Sequence, residues 1–461
     1  MPWRRGEGGV PESMLSLSEA ARAMQGELRG ADGQFFRVCT DSRQLRAGDL
    51  FVALKGEKFD GATFAPAALA DGAAGVVVQR AAAADLEPAI QVDDSRLALG
   101  RLAAHWRDRF TLPVAAVTGS NGKTTVKEML AAILRAWAGD AVLATEGNLN
   151  NDIGLPMMLL RLRAEHRCAV LEMGMNHPGE LSYLAHLARP DVALVNNAQS
   201  AHVGMFASVA EIARAKGEIF EGLSAAGVAV INADDPHAAL WQDMNRTRRQ
   251  LSFGLHAGML RGRWQAQGYG ANLAIDGLGA PLQMTLRVPG EHNARNALAA
   301  AACAHALSVP AEAVKAGLES FSGVKGRLQR KAALFGATLL DDTYNANPDS
   351  VKAALEVLKT LPGRHVLVLG DMGELGAQSA ALHAGIGLAA RAAGVERLLA
   401  LGEQSAEAAK AFGAGAMHFE RIEELLAEIE NLLAPDVTVL VKGSRFMQME
   451  RAVQSFAEAG Q

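Results

Sequence analysis

The chain has 461 residues, and 45 Lys and Arg against 50 Asp and Glu leave a net charge of −5. At about 150 residues per domain this length suggests roughly three domains, and a content of 49% hydrophobic and 21% charged residues excludes disordered and fibrous classes. The charge balance predicts no broad basic surface for nucleic acid or anionic membrane, so any polyanion is handled at a local site.

Residues 1–13, MPWRRGEGGVPES, carry two arginines but no apolar stretch, and read as a disordered extension rather than a secretory signal. From Met14, MLSLSEAARAMQGEL reads as a helix. Short apolar runs within 35–43, 49–56 and 73–80 each end in charged or glycine residues, predicting strands of a small α/β unit. A helix over Ser95–Arg109 then leads to a boundary at Thr111-Leu112-Pro113. VAAVT (114–118) reads as a buried strand, followed at once by GSNGKTT and the helical run VKEMLAAILRAWA. Strand-like runs at 168–173, 191–197 and 227–235 alternate with helical segments, which predicts a mainly parallel, doubly wound sheet. Residues 250–288 read as an antiparallel extension and 294–307 as a buried helix.

From about Gly326 the βα theme repeats, with strands at 337–342, 364–371, 397–403 and 437–444. DDTYNANP, GDMGELG and KGSR fall just past strand carboxyl ends, where open α/β sheets bind ligands. The reading is three α/β domains: a smaller N-terminal one (14–110), a central phosphate-loop domain (111–325) and a C-terminal Rossmann-like domain (326–461). Cys39, Cys168 and Cys303 lie far apart without a CxxC pair, as buried thiols of a reducing cytosol do. No apolar run approaches the ~18 residues of a membrane span. The expected location is cytoplasmic, without membrane insertion.

The strongest local signal is Gly119-Ser120-Asn121-Gly122-Lys123-Thr124-Thr125 between strand and helix. Glycines let backbone amides face a phosphate, and the helix N-terminus adds positive potential. Lys123 can reach the β- and γ-phosphates of a nucleotide, and the Thr124 hydroxyl can ligate Mg²⁺. No guanine-reading NKxD element follows, and GDMGELG lacks the spacing of a dinucleotide fingerprint. Glu172, ending a buried strand, can hold Mg²⁺ or equally act as a capping or surface acid. His202, after the strand ALVNN, is similarly placed, though most lone histidines neither ligate nor catalyse. Lys216 sits at the edge of an apolar helical stripe formed by Val209, Ile212, Ile219 and Phe220. It either snorkels to solvent or, if desolvated, acts as a nucleophilic amine.

Taken together, the motifs resemble the Mur ligase family, ATP-dependent amide-forming enzymes of bacterial cell-wall synthesis. The resemblance runs from about Leu15 to the end: TDSR (40–43), GDLFVALKGEKFDG (48–61), TGSNGKTT (118–125), EGNLNNDIGLP (146–156), LEMG (171–174), the NNAQSAHVG segment, AKGEIF (215–220), GEHNARNALAA (290–300), VKGRLQ (324–329), LDDTYNANPDS (340–350), GDMGELG (370–376) and VKGSR (441–445). DDTYNANP and GDMGELG look most like the branch that adds D-alanyl-D-alanine to UDP-N-acetylmuramoyl-tripeptide; siblings adding a diamino acid typically carry DNPR, absent here.

The resemblance implies two Mg²⁺ ions held with the help of Thr124, Glu172 and His202, and a carbamylated Lys216 ordering the second metal. It implies that Asn296 contacts adenine, and Arg327 and Asp342 the ribose and phosphate side of ATP. It places Lys123, Lys216 and His202 in the chemistry, and Ser42, Arg43 and the 55–61 loop, with Lys55 and Asp60, at the UDP end. Asn148, Asn151, Tyr344, Asn345 and Asn347 complete the substrate set. Where the family often has DGHDF, this chain reads Asp60-Gly61-Ala62-Thr63-Phe64. Asn347 and Pro348 also make a good helix start whatever else Asn347 touches. His292 reads as a residue that orients its loop, and Lys442 and Arg445 either bind an anion or cap helices. A monomer with small-molecule partners and no nucleic acid is expected. The competing readings are a sibling or folylpolyglutamate-type synthetase, a non-ligase ATPase switch, and a nucleic-acid motor, the last disfavoured by charge.

Overall fold

The computed structural model describes residues 13–56, 60–82, 85–199, 205–206 and 208–458. They form two compact units. One extends to Leu112 and takes in Thr145–Ala169 and His186–Arg189; the other comprises Pro113–Ala144, Val170–Ala185 and the chain from Pro190. The predicted N-terminal extension, apart from Ser13, lies outside the described residues.

The first unit is built on a five-stranded sheet in the order Glu27–Arg29, Ala89–Val92, Gly75–Gln79, Asp49–Val52, Arg37–Cys39. All neighbours are parallel except Glu27–Arg29. The helix predicted from Met14 is shorter than expected, Leu17–Met24, because local chemistry closes both ends. Ser16 accepts from the Glu19 amide as N-cap, and Gln25 turns left-handed as C-cap. The run 35–43 likewise divides into Gln34–Phe35 and Arg37–Cys39 before the Asp41 carboxylate caps a 3₁₀ turn over Ser42–Gln44. Helix Ser95–Arg107 is N-capped by Asp94, a contribution of about 1 kcal/mol. It is tied down by Trp106 Nε1 on the Leu162 carbonyl at 3.1 Å.

The second unit holds most of the expected central domain and all of the C-terminal one, while Thr145–Ala169 and His186–Arg189 of the expected central domain fall in the first. The larger sheet has nine strands, ordered Leu282–Leu286, Gly270–Asp276, Leu260–Gln267, Arg249–Gly254, Val228–Asn232, Val192–Val195, Val114–Thr118, Cys168–Glu172, Val142–Ala144. Val114–Thr118 lies between Val192–Val195 and Cys168–Glu172, where the strand order reverses. Loops leaving this point diverge and open a crevice. The three strands from Leu260 to Leu286 pair antiparallel, as their glycine-punctuated pattern predicts. Helix Glu291–Ala306 is alanine-rich and buried along Asn296–Ala304, so its backbone can approach its neighbours closely.

The smaller, six-stranded sheet runs Gln329–Ala332, Thr338–Asp342, Val437–Lys442, Arg364–Gly370, Arg397–Leu401, Ala416–Phe419, parallel except at its first strand. Its apolar runs divide by alternation between two cores. Leu340, Leu367, Leu369, Leu398 and Leu440 face one layer, and Leu339, Val366, Val368, Leu399 and Val439 the other. Burial on both faces is what makes these strands read as unbroken apolar runs.

Candidate active site

The loop Gly119–Gly122 joins the buried strand Val114–Thr118 to helix Lys123–Ala138. Gly122 has φ +78°, and a Cβ there would stand 2.5 Å from Asn296 Oδ1 and 2.8 Å from Asn196 Nδ2. Only glycine fits both the backbone and the space. The loop amides do not all face outward as the sequence suggests. The Ser120 amide donates to the Asn197 carbonyl at 3.0 Å, and that of Asn121 to Asn197 Oδ1 at 2.9 Å. The amides placed to meet an anion are therefore those at the helix start, where the first turn has no intrahelical acceptors.

An amide network sets the loop's shape. Asn196 Nδ2 donates to the Asn121 carbonyl (3.1 Å) and to Asn296 Oδ1 (3.0 Å), and Asn121 Nδ2 donates to Gln199 Oε1 at 2.6 Å. Asn196, Asn197 and Gln199 follow the carboxyl end of Val192–Val195. Sequence reasoning assigned them no role, although amides just past a strand beside the phosphate loop were a usable signal.

Lys123 Nζ donates to the Gly119 carbonyl at 2.7 Å. Burial holds its pKa below the ordinary lysine value, Glu172 opposes that shift and Arg327 adds to it, so the three charges share one locality. Glu172 is 2% exposed at the end of Cys168–Glu172. Lys216, on helix Val209–Gly217, is 1% exposed and does not snorkel. Its pKa lies well below the ordinary value, first through burial and then through Lys123. The amine is thereby disposed toward its neutral, nucleophilic form. His202 lies outside the described residues.

The smaller sheet supplies the other half of the site. Arg327 Nη2 donates to Thr124 Oγ1 at 3.0 Å, and its guanidinium stacks 4.4 Å from the Tyr344 ring centroid. Asn347 is the N-cap of helix Pro348–Lys359 within a full capping box, and its Nδ2 also donates to Asn121 Oδ1 at 2.8 Å. Asp342 receives Lys442 Nζ at 2.6 Å and the Leu328 amide at 3.2 Å; burial raises its pKa and Lys442 opposes the rise. Lys442 also donates to the Asn345 carbonyl at 2.9 Å, so it serves as an internal brace. Arg445 is bonded to Glu450. His292 is held down to about 4 by burial, then by Lys442 and Arg295.

The remaining substrate candidates lie in the first unit. Arg43 folds back onto Asp41, whose carboxyl it lowers to about 2, and Ser42 opens the turn that Asp41 caps. The Lys55 and Asp60 backbones pair in an isolated antiparallel bridge, and the Asp60 carboxylate caps the 3₁₀ turn Gly61–Phe64 through the Ala62 amide. Residues 57–59 of that loop lie outside the described residues. Asn148 is exposed, and Asn151 Oδ1 accepts from the Gly154 amide at 2.8 Å.

A phosphate loop at the switch point of one sheet, met by an arginine and an asparagine from a second, defines a nucleotide-binding α/β protein whose site is shared between two domains. Residues 36–107 match the Mur ligase family catalytic domain, 117–304 the Mur ligase middle domain and 326–445 the Mur ligase glutamate ligase domain. The UDP-N-acetylmuramoyl-tripeptide–D-alanyl-D-alanine ligase of Escherichia coli is 44% identical over 97% of this chain and 99% of its own. The crystal structure of MurF from Acinetobacter baumannii superposes with a TM-score of 0.90 at 36% identity, covering 97% of this chain and 99% of that one. MurF ligase from Thermotoga maritima in complex with ADP gives 0.82 at 28% identity, over 91% and 96%. The chain belongs to the Mur ligase family.

Proposed function

We propose that this protein joins D-alanyl-D-alanine to UDP-N-acetylmuramoyl-tripeptide, making the UDP-pentapeptide precursor of peptidoglycan. The observation that carries this reading is the full-length likeness to relatives of that name, reinforced by the bond from Arg327 to Thr124 at the phosphate loop.

A carboxylate does not condense with an amine because its oxygen is a poor leaving group. Transfer of the ATP γ-phosphoryl group to the tripeptide carboxylate gives an acyl phosphate and ADP. The neutral amine of the dipeptide attacks that carbonyl, an amide forms, and phosphate and a proton leave. Lys123, Arg327 and the first-turn amides would hold and neutralise the phosphates. Asn296, fixed by Asn196 beside Gly122, would meet adenine, and Asp342 the ribose side. Ser42, Arg43, Lys55 and Asp60, with Asn148 and Asn151, would take the UDP-sugar. Tyr344, Asn345 and Asn347 would serve the acceptor side. Domain closure would bring the reactants together and exclude water, which otherwise hydrolyses the acyl phosphate.

The Thr124 hydroxyl and Glu172 carboxylate are hard oxygen donors beside Lys123, which fits Mg²⁺, an ion that keeps waters and phosphate oxygens as its other ligands. Bound there with His202, Mg²⁺ would supply charge stabilisation to the transferring group. Lys216, buried and disposed to be neutral, would carry the carbamate. Domain limits near residues 110 and 325, a monomer, and a cytoplasmic location complete the reading. Three free buried cysteines support that location; among the described residues no helix is long and apolar enough to span a membrane.

The test is Mg²⁺-dependent phosphate release from ATP with UDP-N-acetylmuramoyl-tripeptide, with and without D-alanyl-D-alanine, while product mass is followed. Phosphate matched by UDP-pentapeptide, and not produced with single amino acids, supports the reading. Turnover without peptide product would overturn it in favour of a sibling ligase or an ATPase switch.

A further inference from the structure

Arg327 reaches Thr124 from an unusual stretch of backbone. The residues on either side of it both have positive φ: Gly326 at +70° and Leu328 at +49°. Glycine takes that conformation freely, but an L side chain such as leucine resists it and holds it only where its surroundings enforce it. Two local bonds shape the stretch, from the Arg327 amide to the Val324 carbonyl at 3.0 Å and from the Gly326 amide to Gln329 Oε1 at 3.2 Å, and three longer-range bonds pin it. The Gly326 carbonyl accepts from the Tyr344 amide at 3.1 Å, and the Leu328 amide donates to Asp342 Oδ1 at 3.2 Å. Both of these partners belong to the smaller sheet's own domain.

The third bond comes from the other side. Tyr269 stands at the tip of the hairpin joining Leu260–Gln267 to Gly270–Asp276 in the nine-stranded sheet. Its hydroxyl donates to the Leu328 carbonyl at 2.5 Å. The ring packs against the core of the smaller sheet's domain, and the Arg330 guanidinium lies 5.7 Å from its centroid. Thr124, in the helix that follows strand Val114–Thr118, and Tyr269, in a hairpin of the same nine-stranded sheet, thus belong to one domain, and the segment around Arg327 is held to that domain at two points. One point is the guanidinium and the other is the carbonyl one residue later.

We propose that Tyr269 is a positioning residue of the ligase: its hydroxyl holds Leu328 left-handed and so aims the Arg327 side chain at Thr124 and the nucleotide phosphates. It touches neither substrate nor the reacting atoms, and acts only through Arg327. This rests on the ATP-dependent ligase reading above.

The experiment compares the full-length enzyme with Tyr269→Phe, Arg327→Ala and the double variant, reading ADP affinity by titration and kcat and KM for each substrate. Phenylalanine keeps the ring and deletes the one bond. Losing it should weaken ADP binding and raise the KM for ATP by about fivefold, the scale of one hydrogen bond. The KM for D-alanyl-D-alanine should stay within about twofold. In the Arg327→Ala background the same substitution should change ADP affinity by less than about twofold, because its effector is already gone. A further background, Leu328→Gly, takes positive φ without strain, and in it the Tyr269→Phe effect should shrink. Unchanged ADP affinity in Tyr269→Phe, or an equal loss with and without Arg327, overturns the proposal. A wild-type enzyme that makes no UDP-pentapeptide would instead sink the function it rests on. Should Leu328→Gly fail to fold, the Arg327 cycle alone decides.

Discussion

Asn121 and Asn347 are 226 residues apart in sequence and joined side chain to side chain, with Asn347 Nδ2 donating to Asn121 Oδ1 at 2.8 Å. The same Asn347 caps its own helix through Oδ1, which accepts from the Ser350 amide at 2.9 Å. One amide therefore starts a helix with its oxygen, which also accepts a longer bond from Asn121 Nδ2 at 3.4 Å, and steadies the phosphate loop chiefly with its nitrogen.

Those two duties separate by mutation. Asn347→Asp keeps a capping oxygen but sets a carboxylate against Asn121 Oδ1, and Asn121 cannot flip without losing its bond to Gln199. The melting temperature should change little while the KM for ATP rises severalfold. Asn347→Ala should show the same kinetic loss plus about 1 kcal/mol of stability from the missing cap. Equal kinetics for Asn347→Asp and wild type would remove the loop from Asn347's role.

Gly122→Ala should abolish tight nucleotide binding. The new methyl would meet Asn296 Oδ1 at 2.5 Å and Asn196 Nδ2 at 2.8 Å, and the backbone at φ +78° already resists a side chain. A loss of at least about tenfold in ADP affinity is expected, and calorimetric titration would measure it.

Lys216 yields a prediction of opposite signs. The unfolded chain binds its proton at the ordinary lysine pKa and the folded chain does so much more weakly, so at neutral pH the residue costs stability. That cost lessens as pH rises toward the ordinary value. Lys216→Met should therefore raise the melting temperature at pH 7 in carbon-dioxide-depleted buffer while removing most ligase activity. Near-normal turnover would eliminate the carbamate role.

His292 should make the protein sensitive to acid. Its folded pKa of about 4 lies below the ordinary 6.5, so the stability it contributes is complete above 6.5. That stability is lost as pH falls toward about 4, where the unfolded chain alone is protonated. The loss is up to about 3 kcal/mol. His292→Gln should flatten denaturant midpoints across this window, and an unchanged pH profile would contradict the assignment.

Asp342→Asn should destabilise the C-terminal domain, since it leaves the buried Lys442 ammonium 2.6 Å from an amide instead of a carboxylate. The expected cost is about 3–5 kcal/mol, and adding Lys442→Met should recover much of it. Urea unfolding of both variants measures the difference.

The strands and the phosphate loop were legible in the sequence because their causes are local. Continuous apolar runs such as VLVL in Arg364–Gly370 are what a strand buried on both faces requires. Lysine and threonine right after Gly122 mark a helix start suited to an anion. Asn347 before Pro348 likewise announces its own cap. Other features depended on residues brought together from afar. Spacing placed Lys216 at the edge of an apolar stripe, but only packing decided that its amine is buried and feels the Lys123 charge. The loop's glycines suggested outward amides, yet Asn197, just past a neighbouring strand, claims those of Ser120 and Asn121. Arg327 could have been a surface residue beside a hinge until the fold set it on Thr124, 203 positions away. Hydrogen-bond capacity and side-chain period are written residue by residue; burial and charge pairing exist only once distant strands have closed the crevice.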